Sequence, residues 1–235
     1  MQKELEELRK IFKEKNHQLY LVGGAVRDKL LGRGSKDIDL ATDTKPEKML
    51  SLLEGKFRHQ HIGFGTVAIF ADSGTIEIST FRKIEKYSGI DRIPEVIYGE
   101  NIEEDLERRD FTINAMAMNL ETEKLIDPYF GQSDLARKQL RVPRNSKLPL
   151  REDPLRMLRA ARFISEFGFE ACYNLVVDSM DLASHILFIS RERWLMEMNR
   201  ILLGDNVKNG LNFLRQTGLI NFILPGSHQH PRRIV

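Results

Sequence analysis

LVGGAVRDKLLG, residues 21–32, joins an apolar run to a charged one through two glycines. A short apolar strand over 18–22 runs into Gly23-Gly24, and the pattern predicts a helix over 25–31 that ends near Gly32. Glycine lets the backbone approach a ligand closely. The helix N-terminus offers free N–H groups and a partial positive charge, which suits a triphosphate. Arg27, in the first turn, adds a charge-assisted contact. The same joint is also an ordinary tight turn, so the residues around it must decide.

KDIDLAT, residues 36–42, follows one helix-length later. Asp37 and Asp39 are two apart on a predicted strand over 37–41, so both carboxylates point to one face. Two such charges repel unless a cation sits between them. Mg²⁺ takes carboxylate oxygens and keeps positions for phosphate and water. A solvent-facing pair on an edge strand has the same spacing. In TIEISTFRK, residues 75–83, Glu77 shares a strand face with Thr75 and Ser79. That polar face is either plain surface or a third carboxylate opposite the Asp pair.

Two further stretches carry charge in a pattern. In EEDLERRDFTINAMAMN, residues 103–119, Arg108, Arg109 and Asp110 precede a helix expected to start near Thr112 and to contain Asn114. Arginines there suit phosphates, and Asp110 and Asn114 suit a ribose. An N-capped helix with surface charges reads the same way. In LREDPLRMLRAARF, residues 150–163, Asp153, Arg156, Arg159 and Arg162 recur every three residues and form one helical stripe. Leu155, Leu158, Ala161 and Phe163 fall largely on the other side. Arg can donate to cytosine O2 and N3 or to adenine N1, and Asp can accept from either amino group. The stripe therefore suits C and A better than U or G, or else it is an amphipathic helix with internal ion pairs.

Farther out, residues 4–15 read as a helix, with Leu5, Leu8, Ile11 and Phe12 at helical spacing. Pro46 opens another helix. Residues 66–70 and 75–81 alternate around Asp72-Ser73-Gly74 as a hairpin. Residues 83–99 show no period and read as a long loop. Beyond Pro143 and Pro149 the pattern is all helix, over 151–167, 171–183, 191–203 and 206–217. A boundary is therefore expected between a mixed domain, 1–145, and a helical one, 146–235.

Composition narrows the class. No apolar run reaches the length of a membrane span, and the charged start MQKELEELRKIFKEK does not read as a secretory signal. Cys172 is the only cysteine, which excludes an intrachain disulfide and a thiolate zinc cluster and fits a reducing cytoplasm. The net charge of +2 is small, yet Arg137, Lys138, Arg141, Arg144, Lys147, Arg151, Arg156, Arg159 and Arg162 form a basic belt that suits a phosphate-rich partner or a solvated face. His59 with His61, and His228 with His230, read as surface residues.

The order GGAVRD, DIDLAT, IEISTFR, DLERRDFTINAMA, DPYFGQSDL, REDPLRMLRAARF, SRERWLMEMNRIL resembles the bacterial-type (class II) tRNA nucleotidyltransferase and poly(A) polymerase family, from about Leu19 to Leu203. The resemblance implies an α+β fold: a polymerase-beta-like nucleotidyltransferase head with a mixed sheet, then an all-helical neck and the start of a body domain. It implies that Gly23, Gly24 and Arg27 hold the triphosphate and that Asp37 and Asp39 bind Mg²⁺, with Glu77 as third acid. It assigns Arg108 or Arg109, with Asp110 and Asn114, to ribose and phosphates. Glu152, Asp153 and Arg156, extended by Arg159 and Arg162, match the protein template that selects CTP and ATP.

The expected reaction is two-metal, in-line attack of a tRNA 3′ end on the α-phosphorus, with pyrophosphate leaving. Bacterial poly(A) polymerase is the alternative. A non-catalytic RNA-binding remnant is a third reading, because the family continues into body and tail domains beyond the neck. The presence of every expected carboxylate speaks against it. A full-length loop over 83–96 points away from a CC-only product.

Overall fold

The computed structural model describes residues 2–34, 37–71, 74–87, 94–145 and 147–224. The chain divides into two compact units, Met1–Ser133 and Asp134–Val235.

The first unit holds helices α1 (Gln2–Glu14), α2 (Gly24–Leu30), α3 (Pro46–Leu53) and α4 (Ile102–Glu107), and α5 (Gly131–Ala136) begins in it. Its strands are β1 (Leu19–Val22), β2 (Asp37–Thr42), β3 (His59–Gly63), β4 (Thr66–Ala71), β5 (Gly74–Thr80), β6 (Arg82–Tyr87), β7 (Pro94–Tyr98), β8 (Ala117–Asn119) and β9 (Leu125–Ile126). Seven of them form one mixed sheet in the order β3-β4-β5-β2-β1-β8-β9, in which β2 and β5 run parallel and the other neighbours antiparallel. This is the α+β architecture that the sequence predicts.

Alternation assigns the two faces of the sheet. Ile38 and Leu40, Val67 and Ile69, and Ile76 and Ile78 are buried on one face. On the helical side, α2 contacts β1 and β2, and α3 contacts β4. Each fully buried side chain of this size contributes about 1.5–3 kcal/mol. The opposite face is half covered. Tyr20, Val22, Ala41 and Ala117 pack with Phe81 and with Ile102 and Leu106 of α4. Farther along the same face, Asp37, Asp39 and Glu77 stay exposed.

Two expectations for this unit are corrected. Residues 83–99 are not a long loop, because β6 and β7 pair antiparallel from Arg82↔Tyr98 to Tyr87↔Pro94, with 88–93 outside the described residues. Pro94 opens its strand, a position where proline is tolerated. The helix expected from Thr112 is a single 3₁₀ turn, Thr112–Asn114. The chain then extends as β8 against β1. Met116 and Ala117 are wholly buried there, and tertiary burial overrides helix propensity.

The second unit contains α6 (Leu148–Glu152), α7 (Leu155–Phe167), α8 (Tyr173–Leu182), α9 (Arg191–Leu202), α10 (Val207–Gln216) and α11 (Ile220–Ile223). It also has a two-residue parallel pair, β10 (Gln139–Leu140) with β11 (Glu170–Ala171). At the start of this unit Arg141 pairs with the buried Asp134 at 2.9 Å, and β10 reaches forward to β11. The helix predicted over 151–167 is broken. Asp153 is extended (φ −132°, ψ 93°) between α6 and α7. Pro154 forces this, since a residue before proline avoids the α region.

Candidate active site

The site is built where β1 ends beside the start of β2. Gly23 sits at φ +64°, ψ −132°, a conformation that favours glycine. A Cβ there would lie 2.6 Å from Nη1 of Arg109 and 3.8 Å from Oδ2 of Asp39. One missing methyl group thus leaves room for a guanidinium beside a carboxylate. Arg27, in the first turn of α2, is buried. Its Nε and Nη2 donate to the two carboxylate oxygens of Asp28 at 2.9 and 3.0 Å, and its Nη1 donates to Oδ1 of Asn114 at 2.8 Å. Asn114 in turn donates from Nδ2 to Oδ1 of Asp110 at 3.0 Å. Arg27, Asn114 and Asp110 therefore form one buried polar chain under the glycine turn. Such a chain is rigid when its groups are satisfied.

The carboxylates line up across strands. In the parallel pair β2–β5, Asp37 is opposite Thr75 and Asp39 is opposite Glu77. Residues opposite each other in a sheet point to the same face, so Asp37, Asp39 and Glu77 share the open one. Asp39 keeps solvent exposure although protein atoms crowd its carboxylate. Burial raises its pKa; Arg109 opposes the rise, Asp37 adds to it and Arg27 opposes it again. Glu77 is also raised, by burial first and then by the charges of Asp39 and Asp37, against Arg82. Carboxylates held in this condition suit a cation. Asp37 and Asp39 fit Mg²⁺ by donor type, both being hard oxygen ligands on one strand face. Among the described residues no group of three His, Cys, Asp or Glu side chains forms a ready-made metal cage.

Sequence reasoning missed the residue that holds the arginines. Asp105 is wholly buried on α4. Its Oδ1 accepts from Nε and Nη2 of Arg108 at 3.2 and 2.8 Å, and its Oδ2 from Nε and Nη2 of Arg109 at 3.1 and 2.7 Å. It also accepts from the Arg82 backbone N–H at 3.2 Å. Burial pushes the Asp105 pKa up, but the two guanidiniums outweigh it and hold the group well below the carboxylate range. The available signal was spacing, since Asp105 precedes Arg108 and Arg109 by three and four residues, the distances that meet on a helix. The packing of α4 on the sheet then carries Arg109 to Gly23.

In the second unit the stripe is not uniform. Oδ1 of Asp153 accepts from the Leu155 N–H at 3.2 Å, and its Oδ2 lies 3.4 Å from Nη2 of Arg193. Glu152 is exposed, and Arg156 and Arg159 are half-buried. Arg162 is buried, 3.3 Å from Glu197, and burial lowers its pKa. The basic belt is partly neutralised as well, with Arg141 paired to Asp134 and Lys147 to Asp181.

Comparison with known proteins places this geometry. Residues 19–141 match the family described as poly A polymerase head domain, and residues 180–230 match one described as a probable RNA- and SrmB-binding site of polymerase A. The chain is 41% identical to a CC-adding tRNA nucleotidyltransferase of Shouchella clausii, over 89% of this chain and 50% of the relative. It is 40% identical to a CCA-adding enzyme of Bacillus pumilus, over 91% of this chain and 52% of that one. The solved CCA-adding enzyme of Bacillus stearothermophilus in complex with CTP superposes with a TM-score of 0.84 at 35% identity, covering 97% of this chain and 54% of the other. The chain thus spans about half the length of these relatives. The head-domain match covers just over half of the chain, the fold agrees with the solved relative, and the chain belongs to the tRNA nucleotidyltransferase and poly(A) polymerase family.

Proposed function

We propose that the chain carries the catalytic head and neck of a tRNA-maturing enzyme that adds C and A, or A alone, from CTP and ATP to the tRNA 3′ end. The observation that carries this is the row of Asp37, Asp39 and Glu77 on one sheet face, with Arg109 lodged over Gly23 beside Asp39. In this reading residues 1–145 act as head and 146–235 as neck and start of the body.

The Gly23-Gly24 turn lets the triphosphate approach the backbone, and the guanidinium of Arg109, fixed by Asp105, balances its charge. Asp110 and Asn114 hold Arg27 in place and complete the wall beneath the sugar. Asp37 and Asp39 would hold Mg²⁺, which when bound supplies Lewis acidity to hydroxyl and phosphate oxygens. Glu77 completes the negative face that orients such an ion and the acceptor hydroxyl. Rate gain then comes from positioning and charge stabilisation. Glu152, Asp153 and Arg156 read the amino donor and ring acceptor that C and A share. The buried Arg162, paired to Glu197, props α7 against α9, and Arg159 extends the stripe between them. With a single cysteine, Cys172, the reading fits a reducing cytoplasm.

The two relatives with different products differ by one point of identity, so similarity does not choose the product. Feeding tRNAs that end before CCA, after C and after CC, and sequencing the products, tests the proposal. Completion to CCA, or addition of the final A alone, supports it. Extension stopping at CC refutes the product assignment, and no incorporation with either nucleotide refutes the catalytic reading. Long A tails on a generic RNA would instead support the poly(A) polymerase reading.

A further inference from the structure

The open sheet face continues past the carboxylates. Across the ladder, Asp37 is opposite Thr75 and Thr75 is opposite Phe70 on β4, so all three side chains stand on the same face. Phe70 is 42% exposed, and the Arg58 guanidinium lies over its ring at 5.6 Å. Around it on that face stand the polar or acidic Thr66, Thr75, Glu77 and Ser79, with the buried Ala68 between Thr66 and Phe70. A ring exposed to this degree on a largely polar strand face contributes little to the core. Two strand spacings, roughly 10 Å, separate it from Asp37.

We infer that Phe70, backed by Arg58, is a stacking platform for a base at the 3′ end of the RNA acceptor. The inference rests on the nucleotidyl-transfer reading. In-line displacement puts the attacking hydroxyl and the leaving pyrophosphate on opposite sides of the α-phosphorus. The groups suited to the leaving side, Gly23 and Arg109, lie on the β1 side of Asp39. The acceptor must then come from the β5 and β4 side, where Phe70 stands. The terminal base changes after each addition, so its recognition has to tolerate sequence, and aromatic stacking does so because every base has a π-face. Arg58 adds a cation beside the ring, which attracts the strand's phosphates and strengthens stacking.

The test uses the full chain and a short RNA carrying 2-aminopurine at its 3′ end, with fluorescence followed in the absence of nucleotide. Steady-state KM values for RNA and for CTP or ATP are measured in parallel. Stacking in the wild type quenches the probe. Phe70→Ala should abolish the quench and raise the RNA KM about tenfold, leaving the nucleotide KM and melting temperature unchanged, while Phe70→Tyr restores both RNA readouts. Arg58→Gln should give a smaller rise. A wild-type quench and RNA KM retained in Phe70→Ala would overturn the platform while leaving the transfer reading intact. A wild type that neither incorporates nucleotide nor quenches the probe would overturn both.

Discussion

Gly23, Asp39 and Arg109 meet within a few ångströms, and each is there because of another. The positive φ of Gly23 and its missing Cβ make the space, Arg109 fills it, and Asp39 faces the resulting positive charge. Burial and the charge of Asp37 still leave Asp39 with a raised pKa. A carboxylate with a raised folded pKa favours the fold while protonated, and that contribution is lost as pH rises through the folded value. At neutral pH Asp39 is therefore a net cost to the metal-free fold. Asp39→Asn should raise the melting temperature in EDTA at pH 7, with the gain fading as pH falls below the ordinary carboxylate range. The same variant should lose incorporation by on the order of thousands-fold. A melting temperature that falls, or turnover near normal, contradicts this reading of Asp39. Asp105 has the opposite sign. Its depressed pKa contributes stability that is present above the ordinary carboxylate range and is lost only as pH falls towards the depressed value. Asp105→Asn leaves two guanidiniums without their anion and should destabilise the chain by about 3–5 kcal/mol. It should also raise the nucleotide KM as Arg109 loses its anchor. Urea unfolding and KM read the two effects, and a variant normal in both would show that Asp105 positions nothing.

Elements place these residues by packing. Ile102 and Leu106 lie on the covered half of the sheet face, so α4 ends beside the open half, and its C-terminal arginines arrive there. In the second unit, α7 and α10 cross at Gly210, where a Cβ would sit 2.8 Å from the Ala161 carbonyl oxygen and 2.9 Å from Cβ of Ser165. Ser165 is wholly buried, and its Oγ donates to the Ile201 carbonyl at 2.6 Å, so α9 is tied to the same spot. Alanine at 210 would gain about 1 kcal/mol of helix propensity. Overpacking against backbone that cannot yield costs about 1–3 kcal/mol or more. The clash wins because its nearest partner is a helix carbonyl. Gly210→Ala is expected to lower the denaturation midpoint, and an unchanged or higher midpoint would mean that the helices can move apart freely.

The charge of the whole chain is nearly balanced, at +2, so in the proposed function attraction to RNA would depend on which cations remain available. Arg137, Lys138 and Arg151 are exposed, whereas Arg162 is enclosed against Glu197. Replacing the three exposed residues with Gln should flatten the dependence of log K on log salt by about 2, near 0.7 per lost single-strand phosphate contact. Arg162→Gln should leave that slope alone and lower the melting temperature, because it strands the Glu197 charge. Equal slopes for the triple variant and the wild type would remove the belt from RNA binding.

The local geometry of the candidate site was legible in the residues. Gly23-Gly24 after an apolar run, the Asp37–Asp39 spacing, and the alternation around Glu77 depend only on backbone geometry and side-chain period, which act over a few residues. The same periods separated a mixed region from an all-helical one, and the fold class came from the family resemblance. What tertiary structure alone decided was long-range. The pairing that sets Glu77 opposite Asp39 joins residues 38 positions apart. Burial against β1 turned residues 117–119 into a strand instead of continuing a helix. Residues 82–87 and 94–98, without a readable period, became strands because each supplies the other's hydrogen bonds. The stripe of arginines separated into half-exposed Arg156 and buried Arg162 because α7 is covered by α9 at one end. Spacing along a chain determines which side chains share a face, but only packing determines which faces are covered and which charges are left to meet a substrate.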